Sequence, residues 1–178
     1  MTTQHHRAST RLRAFDYTLS GAYFVTVCSA QKVALFGNVL EGEMVLNELG
    51  QVVFETWNAI PDHFQNVALD EFVIMPNHIH GILWIERPSA VGVRHASPLH
   101  VTGTQNGAPR GSLGAIVGSF KSAVIKHINE SGGTPGLPVW QRNYDDRVIR
   151  DDRELEATRA YIVNNPLEWR TDEYVVIA

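Results

Sequence analysis

Hydrophobic residues along the chain follow two periods, one typical of strands and one typical of helices. Runs rich in aromatic and β-branched residues predict strands, and these runs cover 21–30, about 68–75, 78–86 and 139–149. After the first run, residues 33–47 predict a small hairpin that turns at Glu41 and Gly42. Pro76 and Asn77 form a turn signal between the two central strands.

Three segments have the helical period, and they cover 47–64, 112–131 and 151–169. Asn47 can cap the first of these helices, and Pro61 is expected to stop it. In the last helix, Asp151 and Glu154 have the spacing of a capping box, and Pro166 is expected to end the regular turns.

The order of these elements favours an α+β fold, with a ferredoxin-like antiparallel sheet and helices packed on it. A length of 178 residues suits one domain that covers residues 1–178. Residues 87–111 are rich in Pro, Gly, Ser and Thr and have no period. We interpret them as a flexible insertion loop within that domain.

Composition excludes several classes of protein. The net charge of −4 argues against a protein that coats nucleic acid by bulk positive charge, although a local basic surface is compatible with it. No run approaches the length needed to cross a bilayer, and the N-terminal residues lack the apolar core of a signal peptide. Cys28 has no second cysteine to pair with, and we expect a buried apolar role for it. We therefore expect a cytoplasmic protein without a membrane partner.

Two histidines stand one residue apart in the stretch "DEFVIMPNHIHGILWIE" (70–86). On a strand, His78 and His80 project to the same face, while Ile79 and Gly81 project to the other. Two imidazoles with open positions beside them suit a metal ion that must also bind a substrate oxygen. The alternative is a pair of polar residues on a half-exposed strand face, and this stretch alone leaves both interpretations open.

The last helix carries a second pair of candidate residues. Tyr161 and Asn165 are four residues apart and therefore neighbours on one helix face. Together they offer a nucleophilic hydroxyl and an amide oxygen that can bind a hard divalent ion. The alternatives are a packing aromatic and an ordinary helix residue placed before Pro166.

Several stretches occur in the order seen in one known family: "GAYFVTVCS", "LFG", "LNELGQVV", "DEFVIMPNHIHGI", "GSLGAIVGSFKSAV", "VWQRNYDDRVIR" and "YIVNNPLEW". Through them the chain resembles, almost from end to end, the single-tyrosine transposases of the HUH superfamily. Within that superfamily it is most similar to the REP-associated tyrosine transposases. His-x-His after "MPN", with Tyr-Ile-x-Asn-Asn-Pro downstream, carries most of the specificity.

The resemblance implies DNA transposition: a metal-dependent endonuclease and strand transferase that cuts and rejoins single-stranded or hairpin (repetitive palindromic) DNA. Tyr161, on a C-terminal catalytic helix, is then the nucleophile that forms a 5′-phosphotyrosine, and His78, His80 and Asn165 hold Mg²⁺ or Mn²⁺. Two alternatives are a non-catalytic regulator that binds DNA hairpins and an unrelated metal-dependent hydrolase. The hydrolase would need a general base, and no acid has a motif position that suggests one. Both a monomer and a homodimer with exchanged helices are compatible with the family.

Basic residues supply candidates for contact with DNA, and these are Arg7, Arg11, Arg13, Lys121, Arg142 and Arg147. Their alternative role is ordinary solvated charge. Arg147 stands where many members of the family carry a histidine, and arginine can contact phosphate but does not ligate metal. Trp140 can either stack on bases or belong to the core.

Overall fold

A computed structural model of the chain describes residues 19–86, 108–131 and 138–169. Arg7, Arg11, Arg13 and residues 87–107 of the predicted insertion loop lie outside these ranges. The described strands and helices, in chain order, are β1 (Gly21–Cys28), β2 (Gly37–Leu40), β3 (Glu43–Leu46), α1 (Glu48–Asn58), α2 (Ile60–His63), β4 (Val67–Met75), β5 (His78–Ile85), α3 (Leu113–Glu130), β6 (Asp145–Ile149) and α4 (Asp152–Glu168). No helix in this part of the chain is long and apolar enough to cross a membrane.

Four strands form the main sheet, in the order β4-β5-β1-β6, and every neighbouring pair is antiparallel. Strands β2 and β3 pair separately as a two-stranded hairpin. The α+β class and the antiparallel sheet predicted from the sequence are therefore confirmed. The hairpin at 33–47 is also confirmed, with Glu41 and Gly42 between its strands.

The predicted helix starts are confirmed by their capping bonds. Asn47 Oδ1 accepts a hydrogen bond from the backbone N–H of Gly50 at 2.9 Å, and α1 begins at the next residue. Asp151 Oδ1 accepts from the backbone N–H of Glu154 at 2.8 Å at the start of α4. Each cap satisfies one of the backbone donors that the first turn of a helix leaves without a partner.

The effects predicted for the two prolines are wrong, because neither helix ends at its proline. The first helix already ends at Asn58, and Pro61 lies in the first turn of the short helix α2. Pro166 does not end α4, which continues to Glu168. A proline has no backbone N–H to donate, but its carbonyl can still accept a hydrogen bond. The carbonyl of Pro166 accepts one from the backbone N–H of Trp169 at the end of the helix.

The strand predicted at 139–149 is shorter than expected, because β6 begins only at Asp145. Trp140 makes an isolated bridge with Ser29. The ammonium of Lys121 donates to the carbonyls of residues 141, 142 and 143, at 2.6, 3.3 and 3.3 Å. Because these carbonyls face α3 and not a neighbouring strand, the hydrogen bonds between β6 and β1 do not extend to them.

The two faces of the sheet bury different clusters. One face packs against α1 and α3. The cluster buried on that side includes Val25, Val27, Ile79 and Leu83 of the sheet, Trp57 of α1, Phe120 of α3, and Trp140. The other face packs against α4, with a smaller cluster of Ala22, Ile82, Ile149, Leu155 and Ile162. The alternation of side chains along β5 therefore places both histidines under α4 and Ile79, between them, in the larger core.

Gly81 allows the core side of β5 to approach α1 closely. A Cβ atom at this position would lie 2.3 Å from Cζ2 of Trp57, whose side chain is fully buried and has no room to move. The glycine that follows the two histidines is thus a packing requirement on the opposite face of their strand.

Replacement of Gly81 by alanine is expected to lower the free energy of unfolding by about 1–3 kcal/mol, the range for overpacking a tight core. Gly118→Ala is the matched control, because a Cβ there meets nothing within 4 Å. In the middle of α3 the control should raise stability by about 0.5–1 kcal/mol. Urea denaturation of both variants measures the difference, and equal stabilities would contradict the proposed contact.

Candidate metal and nucleophile site

The two histidines are buried side by side beneath α4. His80 pairs with Thr26 of β1, and His78 pairs with Cys28 at the end of the same strand. Their ring centroids are 4.5 Å apart, and both side chains are almost fully buried. The alternative of a half-exposed strand face is therefore wrong, and Cys28 is buried as expected.

Hydrogen bonds fix the tautomer of His78. Asn77 Nδ2 donates to the backbone carbonyl of Lys32 at 3.0 Å, which turns the amide so that its Oδ1 faces His78. Nδ1 of His78 lies 2.8 Å from that oxygen and must donate to it. The lone pair of the ring is consequently on Nε2.

Burial keeps His78 uncharged. Desolvation is the main cause that lowers its pKa to about 3, and the positive charge of Lys32 lowers it further. Asn165 acts in the opposite direction, because its side chain favours the protonated ring by hydrogen bonding to it. A neutral imidazole with its orientation set by a second residue is the form that a metal ion binds.

His80 joins the sheet to the candidate nucleophile. Its Nδ1 lies 2.8 Å from Thr26 Oγ1, and its Nε2 lies 3.2 Å from the hydroxyl of Tyr161. Phe24 stacks on the imidazole with 5.2 Å between ring centroids. Tyr161 is 37% exposed, so its ring reaches solvent while its hydroxyl contacts a buried group. The helix that supplies Tyr161 belongs to the same chain as both histidines.

Two successive turns of α4 and its C-cap residue cover the histidine pair. Asn165 follows Tyr161 by one turn, is almost fully buried, and interacts with His78. One turn further, Trp169 lies with its ring centroid 6.0 Å from that of His78. Sequence reasoning found the first two of these residues and missed Trp169, although its spacing of four residues from Asn165 was a usable signal.

An ion pair holds α4 in place over the sheet. Arg159 donates from Nε and Nη2 to the two carboxylate oxygens of Asp70, at 2.8 and 2.7 Å. Trp84 Nε1 donates to the same carboxylate at 2.9 Å. Hydrogen bonds from Arg159 are the largest of several causes that hold the pKa of Asp70 well below its usual range, although burial acts in the opposite direction. Arg159 is two residues from Tyr161, so this contact positions the candidate nucleophile.

Of the residues predicted to contact DNA, the structure describes Arg147, Lys121 and Arg142, and their surroundings differ from one another. Arg147 Nη2 donates to Thr158 at 3.1 Å, its Nε lies 3.3 Å from Glu154, and its guanidinium lies over the ring of Phe24. It therefore joins β6 to α4 and is still 57% exposed. Lys121 holds backbone carbonyls, as described above, and Arg142 is exposed.

Trp140 belongs to the core and not to a surface that could stack on bases. Its ring lies 5.1 Å from that of Phe36 and 5.6 Å from that of Phe120, measured between centroids. Its side chain is buried. Of the two roles open from the sequence, the core role is confirmed.

The donor atoms of the site fit a divalent metal ion. Across residues 19–86, 108–131 and 138–169, no three or more His, Cys, Asp or Glu side chains come together in a way that could hold a metal. The candidate ligands predicted from the sequence, His78, His80 and Asn165, are all buried, and the two imidazoles lie side by side. Two nitrogens and one amide oxygen suit Mn²⁺ better than Mg²⁺, which prefers oxygen ligands.

Comparisons with known proteins add the following findings. No family model matches the sequence. An uncharacterized protein of Haemophilus influenzae is 40% identical over 175 residues, which cover 97% of this chain and 94% of that protein. The structure of a REP-associated tyrosine transposase bound to a REP hairpin matches with a TM-score of 0.58 and 14% identity, over 93% of this chain and 76% of that one. A putative transposase of Deinococcus radiodurans gives a TM-score of 0.46 at 16% identity, over 86% and 95% of the two chains.

The Asp70–Arg159 pair predicts a dependence of stability on pH. Because the folded state lowers the pKa of Asp70 from its usual 3.8, the pair stabilises the fold above that pH and the stabilisation is lost as the pH falls further. Asp70→Asn is therefore expected to be less stable than the parent protein at pH 7, and the difference should shrink below about pH 4.

Urea denaturation at pH 7 and at pH 3 measures this effect. Asp62→Asn, which changes an exposed acid in α2, is the matched control and should follow the parent protein at both pH values. A constant difference between Asp70→Asn and the parent at the two pH values would show that the pair does not stabilise the fold through its charge.

Proposed function

The chain belongs to the same family as the Haemophilus influenzae protein and has the fold of the REP-associated tyrosine transposases, the branch of the HUH superfamily that its motifs resemble. From this premise we propose that it is a metal-dependent endonuclease and strand transferase for single-stranded or hairpin DNA. The observation that carries the proposal is the 3.2 Å contact between Tyr161 and His80, beside the buried side chains of His78 and Asn165.

Tyr161 is the nucleophile in this proposal. Its phenolic oxygen forms a bond to the phosphorus of a backbone phosphodiester, and the bond from phosphorus to the 3′-oxygen breaks. The phenolic proton is lost to solvent, and the departing oxygen takes up a proton to become a 3′-hydroxyl. The 5′-phosphotyrosine that remains keeps the phosphoester linkage, so the strand can be rejoined without ATP.

Exposure supports this role for Tyr161. A phenol that attacks a phosphate within a DNA strand must be reachable by a large substrate, and the ring of Tyr161 is 37% exposed. The hydroxyl is nevertheless directed at a buried imidazole. Because a tyrosine has a pKa near 10, it needs positive charge nearby to attack at neutral pH.

His78, His80 and Asn165 would hold a divalent cation, Mn²⁺ or Mg²⁺. When bound, such an ion supplies positive charge that offsets the charge developing on the phosphate oxygens. The protein prepares the ligands in advance, since Asn77 orients the ring of His78 and Thr26 orients that of His80. Fixed ligand rings reduce the reorganisation that metal binding requires.

A covalent adduct tests the proposal directly. The protein is incubated with Mn²⁺ and a labelled pool of hairpin oligonucleotides whose single-stranded flanks are randomised. We expect a denaturation-resistant protein–DNA adduct that is absent in Tyr161→Phe. Tyr144→Phe is the matched control and should form the adduct like the parent protein.

Two outcomes would change the assignment. An adduct that persists in Tyr161→Phe would move the nucleophile elsewhere, with Tyr144 the first position to test. Retained binding of hairpins without cleavage of any member of the pool would favour the regulator that binds DNA without cutting it.

Metal binding can be measured without DNA. Titration of Mn²⁺ by calorimetry should show one site that is lost in His78→Ala and weakened about 10–100-fold in Asn77→Ala, as expected for a residue that orients a ligand. His63→Ala, at an exposed position of α2, is the control and should bind as the parent does. Equal binding by all four proteins would place the metal away from His78.

A further inference from the structure

Arg147 is an exposed cation that three neighbours hold against α4. Thr158 donates its own hydroxyl hydrogen to the carbonyl of Glu154 at 2.7 Å, so its oxygen is turned to accept from Nη2 of Arg147 at 3.1 Å. The carboxylate of Glu154 lies 3.3 Å from Nε, and the guanidinium lies 5.6 Å from the centroid of the Phe24 ring. These contacts fix the position of the guanidinium, although 57% of the side chain remains exposed.

Phe24 brings this guanidinium close to Tyr161. The ring of Tyr161 meets the same phenylalanine edge to face, with 6.1 Å between ring centroids. On α4, Tyr161 follows Thr158 by three residues, so their side chains are neighbours on the helix surface. The cation and the candidate nucleophile therefore flank one aromatic ring, and both reach solvent.

The guanidinium can donate further hydrogen bonds. Within residues 19–86, 108–131 and 138–169, its hydrogen bond and its ion pair engage Nη2 and Nε, which form one edge of the fork. A guanidinium has five N–H groups. The other edge, formed by Nη1 and the second hydrogen of Nη2, can therefore donate two parallel hydrogen bonds. Two oxygens of a phosphate match this spacing, and arginine binds phosphate in this bidentate way.

The positions of the strands indicate that this phosphate is not the one under attack. The hydroxyl of Tyr161 is directed at His80 on β5, whereas Arg147 lies on β6, and β1 separates these two strands. A phosphate that the hydroxyl attacks is consequently on the side of the histidine pair. Arg147 is placed to reach a neighbouring phosphate of the same DNA strand.

The geometry of phosphoryl transfer indicates on which side of the cut that neighbour lies. The attacking and leaving oxygens lie roughly in line on opposite sides of phosphorus. The fragment that ends in the 3′-hydroxyl therefore departs away from Tyr161, whereas the fragment with the 5′-phosphate stays bonded to it. Arg147 is held to α4, the helix that carries Tyr161, so it lies beside the fragment that stays.

We propose that Arg147 binds the first phosphate on the 3′ side of the cut, in the DNA fragment that remains linked to Tyr161. This inference rests on the proposed function and adds a substrate-binding residue to it. A strand held at this point keeps its 5′ end at the site until it is rejoined. A histidine, which many members of the family carry here, would be mostly neutral at pH 7, whereas arginine is always charged.

Strands with one neutral linkage locate the contact. The oligonucleotide that the parent protein cuts is prepared as a set, in which each strand carries one methylphosphonate in place of a phosphate near the cut. Affinity is measured in proteins that also carry Tyr161→Phe, so that no strand is cut. We expect a methylphosphonate at the first linkage on the 3′ side to weaken binding about tenfold when Arg147 is present, as for the loss of one charged hydrogen bond. It should have no effect in Arg147→Gln.

Salt dependence and two further variants are the controls. Arg147→Gln should make the slope of log affinity against log salt shallower by about 0.7, the value for one phosphate contact with a single strand. Arg147→Lys keeps the charge without the fork and should keep that slope. Arg153→Gln removes an exposed arginine from the first turn of α4 and should show the same response to each methylphosphonate as the parent.

The possible failures are distinguishable. If Arg147 only joins β6 to α4, Arg147→Gln weakens binding of every strand equally and the methylphosphonate keeps its effect. The proposed contact is then wrong, and the proposed function stands. If Arg147→Gln instead abolishes the effect of a methylphosphonate on the 5′ side of the cut, Arg147 holds the departing fragment, which contradicts the proposal. If the parent cuts no member of the pool, both proposals fall.

Discussion

The bidentate contact between Arg159 and Asp70 is the interaction on which the site depends. Helix α4 buries only four side chains, and two of them, Thr158 and Asn165, are polar. Apolar burial alone therefore defines the rotation of this helix weakly. An arginine held by both oxygens of one carboxylate fixes rotation and register together, because the fork geometry allows one arrangement. That register places the hydroxyl of Tyr161 over His80.

Local patterns in the sequence predict much of this arrangement. The alternation along a strand places both histidines on one face, and helical spacing makes Tyr161 and Asn165 neighbours. Local patterns do not show that the histidines and Tyr161, about eighty positions apart, meet. That expectation came from the resemblance to a family. The caps at Asn47 and Asp151 were equally readable, because a helix start is decided by residues close in the chain.

Other features depend on tertiary contacts and have no such signal. Strand β4 shifts register between Leu69 and Phe72, and this irregularity presents Asp70 to the helix. The left-handed turn at Lys32 contains no glycine that would have indicated it. Lys121 shortens β6 by binding carbonyls that the hydrophobic pattern assigns to a strand. In each case a long-range contact overrides the local preference.

The contact of Tyr161 with a histidine of its own chain has a consequence for stoichiometry. In this structure one chain supplies both the candidate nucleophile and the histidine pair, so in the proposed reaction one polypeptide can be linked covalently to one DNA end at a time. Removal of a DNA segment requires two cuts. A single chain would have to release the first end before making the second cut, or two chains would have to act at the two ends of the segment.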